Sequence, residues 1–156
     1  MRGPIVCALA VATACIGPTR QIRIVDAPAK YCSGSRCVSV SLTPDGEYGH
    51  GRFRRQLEVW ADGRRLHAEE MAARWARAVR MNLYAADGKI VLRECEYSVL
   101  TYVVDLDKAT VEVGEHGTPT GPGLRFLGSF DEDTGSRWRF LPASERGELP
   151  LPEPER

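Results

Sequence analysis

The chain has 156 residues, with 21 basic and 21 acidic side chains and a formal net charge of zero at pH 7. A chain without surplus positive charge does not suit a dedicated nucleic-acid binder, and this length supports one domain with a core of its own. Arginine outnumbers lysine 18 to 3, a bias that GC-rich coding produces, so arginine clusters carry less weight than usual.

In chain order the first element is a leader. Arg2 supplies one positive charge, and residues 5–16 are twelve uncharged residues rich in Ala, Val and Ile. A membrane-spanning helix needs about 20 apolar residues, whereas the apolar core of a secretory signal peptide takes about 7–15. Ala12-Thr13-Ala14 then has the small-x-small form that signal peptidases read, and Cys15 follows it. A cysteine directly after a small residue at the end of an apolar run resembles the lipobox of bacterial lipoproteins. The resemblance is limited to residues 1–15. It implies that residues 1–14 are a signal peptide, that the Cys15 thiol accepts a diacylglycerol, and that the protein is held in the cell envelope by that lipid. Two other readings stay open: cleavage before Cys15 with release into the periplasm or medium, and a buried apolar helix in a cytosolic protein.

Residues 15–19 read as a tether and residues 20–141 as a single domain. Ile22 and Ile24 alternate with Arg23 and Val25 in a strand over 20–26, which Pro28 ends. In YCSGSRC, Cys32 and Cys37 flank Ser-Gly-Ser-Arg, turn-forming residues that let the two Cα atoms approach to about 5.5 Å. Export makes a disulfide between them the expected state. Residues 37–42 and 53–60 alternate as half-buried strands, the second with Phe53, Leu57 and Val59 inward and Arg54, Gln56 and Glu58 toward water. Asp62-Gly63 ends that strand. Met71, Ala72, Trp75, Ala78 and Val79 fall at helical spacing, which predicts a helix over 67–80 with Trp75 anchoring it to a sheet.

Residues 83–85 and 89–95 form a hairpin through Ala86-Asp87-Gly88. Residues 97–105 are apolar on both faces, as in a central strand, and turn back into 110–113. Residues 124–130 and 137–141 make a last hairpin. WADGR and YAADGK repeat one turn chemistry. The Pro/Glu-rich residues 142–156 are expected to be disordered. The fold class predicted is α+β: a mainly antiparallel sheet of six to eight strands with one packed helix.

Signatures of catalysis are missing: the chain has no G-x-S-x-G, no H-E-x-x-H and no glycine loop with a lysine. Cys95 reads as a small buried side chain, or else as a partner for Cys32, Cys37 or Cys15. His50, His67 and His116 are too scattered for zinc, and no metal or cofactor is implied. Tyr48, His50, Arg52 and Arg54 in GEYGHGRFRR, with His116 from the Gly/Pro loop at 114–123, make the candidate binding surface. Residues 52–80 hold eight Arg against four acids, and residues 81–156 eight basic against fourteen acidic residues. That asymmetry fits a basic face for an anionic partner or ordinary solvated faces. The function expected is a binding or structural module of the envelope, its partner a protein or a cell-wall component, touching the membrane through its lipid alone. The rival from another class is a small exported hydrolase using His116 or His50 with an acidic partner.

Overall fold

A computed structural model describes residues 28–45, 51–75, 79–94, 100–114 and 123–149. Ten strands make up these residues, arranged in two antiparallel sheets, with no helix among them. The first sheet is a meander in chain order: β1 (Ala29–Ser33), β2 (Arg36–Pro44), β3 (Arg52–Ala61) and β4 (Arg64–Trp75). The second contains β5 (Met81–Ala86), β6 (Lys89–Glu94), β7 (Thr101–Asp105), β8 (Thr110–Gly114), β9 (Arg125–Glu132) and β10 (Trp138–Pro142). Its order, β10-β9-β5-β6-β7-β8, means that the chain returns from β8 at one edge to pair β9 beside β5.

The α+β expectation is therefore corrected to an all-β fold, and one sheet of six to eight strands to two sheets of four and six. The helix expected over 67–80 is overturned as far as Trp75 by β4; residues 76–78 lie outside the described residues. The cause is the turn before it. Asp62 (φ +48°) and Gly63 (φ +75°) both sit in the left-handed region, the geometry of a two-residue hairpin turn that matches strand twist. Arg64 is thereby set opposite Ala61, and the ladder continues to Arg52 opposite Trp75. Two of the five residues behind the helical stripe were alanines, which commit weakly to any burial, and backbone pairing with β3 outweighs that signal. Only Met71 of β4 is buried, and Trp75 is 49% exposed, so it anchors nothing. Asp87 (φ +46°) and Gly88 (φ +75°) repeat the same turn between β5 and β6.

Alternation puts one face of each sheet into a shared core. Val38, Val40, Leu42, Phe53, Leu57, Val59 and Met71 from the first sheet join Met81, Leu83, Ile90, Leu92, Tyr102, Val104 and Phe130 from the second. Specific contacts lock the two layers together. The Trp138 indole donates to the Val40 carbonyl at 2.9 Å, Tyr31 packs edge-on against Phe140, and Arg36 donates to the Leu106 carbonyl at 2.8 Å. Cys32 and Cys37, directly opposite each other on β1 and β2, are joined as a disulfide. The loop it closes is short, so its entropic contribution is about 2 kcal/mol. Residues 143–149, within the tail expected to be disordered, lie along the outer face of the second sheet: Asn82 donates to the Leu149 carbonyl at 2.8 Å and Tyr84 to Glu148 at 2.7 Å.

Candidate binding face

The outward face of the first sheet carries two cross-strand rows. One runs Lys30, Ser39, Glu58, Ala68 from β1 to β4, and the next runs Cys32, Cys37, Trp60, Arg65. Pairing makes neighbours of residues far apart in the chain, and here they bond. The Trp60 indole N–H donates to Ser39 Oγ at 2.9 Å, and Ser39 donates to Glu58 Oε2 at 3.3 Å. Arg65 Nη1 donates to Glu58 Oε1 at 2.8 Å. Lys30 Nζ stands 4.4 Å from the Trp60 ring centroid, a cation over an aromatic face. Glu58, expected to face water, is thus only 6% exposed, roofed by Trp60 and Arg65. A half-buried tryptophan is held in one orientation beside the disulfide, rimmed by Lys30 and Arg65. Ordered aromatic area with an adjacent cation is what contact surfaces use for affinity at low entropic cost.

The residues picked out from sequence are only partly described. Arg52 opens β3, 3.5 Å from Asp45, and Arg54 is exposed on the outward face opposite Thr43. Six residues of strand put Arg54 about 20 Å from Trp60, at the other end of the same face. Tyr48, His50, His116, Cys15 and Cys95 lie outside the described residues. His67 is half-buried on β4, its Nε2 3.6 Å from Glu69. Among the described residues no group of His, Cys, Asp and Glu could hold a metal ion, and no helix is long and apolar enough to cross a membrane.

Sequence reasoning missed the Trp60 cluster, although one signal was present. In WADGRR a two-residue Asp-Gly turn makes Trp60 the cross-strand neighbour of Arg65. What sequence did not show was the β1–β2 register that brings Lys30 and Ser39 beside them.

Between the sheets lies a second polar group. Arg55 is buried against Glu94, which Arg74 also binds at 2.7 Å, and Arg55 donates twice to the Ala72 carbonyl at 2.9 and 2.7 Å. Burial lowers the Arg55 pKa while Glu94 opposes that shift. Burial, reinforced by the Glu94 charge, raises that of Tyr102. This arrangement holds β3, β4 and β6 in place, and its members point at each other rather than at solvent.

No family model, curated protein or solved structure matches the chain.

Proposed function

We propose that this chain is an exported, lipid-anchored envelope protein whose two-sheet domain acts by binding, with the outward face of the first sheet as its contact surface. The observation that carries this reading is Trp60, fixed by Ser39 and flanked by Lys30 and Arg65. A rigid aromatic between cations is preorganised to meet a partner presenting carboxylates or hydroxyls, whether a protein or a wall polymer. Lys30, Arg54 and Arg65, exposed on that face, favour an anionic partner. The Cys32–Cys37 bond suits an oxidising compartment, and the leader ending at Cys15 supplies the route and the anchor.

Two measurements test the proposal. Tagged protein from envelope extract should capture the same partner, or bind isolated cell-wall material, in the wild type and lose it in Trp60→Ala with the disulfide intact. Equal recovery by the variant would remove this face from consideration. Cys15→Ala should move the protein from the membrane fraction to the soluble one, and unchanged fractionation would end the anchor reading.

A further inference from the structure

We propose that the free edge of β4 pairs, antiparallel and about a two-fold axis at His67, with β4 of a second copy of this chain. The product is a homodimer whose sheet runs continuously through the four strands of each copy.

The edges of the two sheets are unequal. β1, β8 and β10 have five residues each, and β4 has twelve. Short edges are one of the devices by which proteins block unwanted pairing, and Lys and Pro are others. β1 carries Lys30 and β10 ends at Pro142, whereas β4 contains neither. Among the described residues nothing pairs on its outer side. Arg64, Arg65, Ala68 and Glu70 are exposed, and Leu66 is 50% exposed.

Charge on an edge strand ordinarily repels a copy of itself. The order of charges on β4 inverts that effect. Residues 64–70 read Arg-Arg-Leu-His-Ala-Glu-Glu, with opposite signs at equal distances from His67. Antiparallel pairing of two such strands about His67 brings the arginine end of each copy alongside the glutamate end of the other, and, because β4 bulges at Leu66, the opposite charges set on one face are Arg64 and Glu69 of the second copy. The two-fold axis makes every such contact twice. Parallel in-register pairing would set like charges face to face, so the pattern selects one arrangement. The ladder with β3 has one irregularity beyond this segment, between Phe53 and Arg55, and another inside it, between Val59 and Trp60, where β4 bulges at Leu66. Because both charged groups are doublets, a one-residue shift there still sets Glu69 against an arginine. Residues 67–71 keep unbroken register with β3 and offer a regular template. Arg65 stays 53% exposed while bound to Glu58, open to a second carboxylate. Opposite-charge cross-strand pairs stabilise a sheet and like-charge pairs destabilise it.

Sedimentation equilibrium of the purified, disulfide-bonded chain tests the proposal. The wild type should show a concentration-dependent dimer. Arg64→Glu with Arg65→Glu, making residues 64–65 and 69–70 all acidic, should weaken it at least about tenfold. Glu69→Arg with Glu70→Arg, all basic, should do the same. Mixing the two variants should restore a dimer containing one of each, a result that misfolded variants cannot produce. If either doublet fails to fold by circular dichroism, Arg64→Glu and Glu69→Arg, made singly and then mixed, keep the Arg65–Glu58 bond and should show the same loss and the same recovery. A wild-type monomer at concentrations up to about 100 µM, a dimer indifferent to both doublets, or two folded variants that do not associate on mixing would each overturn the proposal.

Discussion

Arg55 and Glu94, 39 positions apart in the chain, form an ion pair between the two sheets with side-chain exposures of 0% and 1%. Neither charge has kept its water, so the pair adds little net stability while its disruption strands a buried charge. Arg55→Ala is expected to destabilise by about 3–5 kcal/mol. Arg55→Met combined with Glu94→Leu should cost clearly less than the two single changes added together. Urea midpoints for the four proteins decide it, and strictly additive losses would show that the two residues are not coupled.

Gly128 on β9 stands opposite Pro142 on β10. Its φ is +148°, and an added Cβ would strike the Leu141 carbonyl and lie 2.8 Å from Phe140 Cζ and Pro142 Cα. Backbone atoms cannot step aside as a flexible side chain can. Gly128→Ala should therefore lose about 1–3 kcal/mol from overpacking, plus the strain of its backbone conformation. Gly34→Ala is the control: its Cβ would meet nothing within 4 Å, so only the strain of φ +64° remains. Unfolding curves for both should rank Gly128 as the more sensitive, and the reverse order would contradict the packing of this hairpin.

Asp133 organises the β9–β10 turn. Arg137 donates to it through Nε at 2.9 Å, and the backbone N–H groups of Gly135 and Arg137 donate at 2.8 and 3.0 Å. These bonds, the Arg137 side chain foremost, hold its carboxyl well below the usual range. A carboxylate with a depressed folded pKa contributes stability that is fully present above its unfolded value, about 3.9, and lost as pH falls through the folded one. Asp133→Asn should thus be less stable than the wild type at pH 7, and the gap should narrow below about pH 4. Midpoints measured from pH 7 to pH 2 test this; a gap independent of pH would refute it.

The segment after β10 is a strap on the second sheet. Arg146 pairs with Asp131 at 2.8 Å, Arg80 donates to the Gly147 carbonyl, and Asn82 and Tyr84 reach Leu149 and Glu148. Ending the chain at Pro142 should cost about 1–3 kcal/mol and accelerate amide hydrogen exchange in β5 and β9 beneath it. Unchanged exchange there would show that the strap covers nothing.

Much of the strand inventory was legible because period-two alternation is local. Val38, Val40 and Leu42 were inward on that pattern, and all three are in the core. The two Asp-Gly turns were visible as well, since φ > 0 at both positions favours that pair. The helix at 67–80 was misread for a reason of rank: its amphipathic stripe was weighed by itself, while the Asp62-Gly63 turn had already directed the chain back along β3. The same period-two alternation set Phe53, Leu57 and Val59 inward; that Arg55 joins them inside was left unread, and its position there is tenable only with Glu94 present.

Outside residues 64–75, whose extension was set by pairing with β3, local chemistry in this chain determined which segments extend, where they reverse and which side of each strand is apolar, because neighbouring residues suffice for those choices. Tertiary structure alone decided that the strands divide into two sheets, that Glu94 reaches Arg55, and that Lys30 and Ser39 enclose Trp60. Those outcomes depend on register and layering between distant segments, where backbone pairing and the burial of paired charge are settled by the fold as a whole.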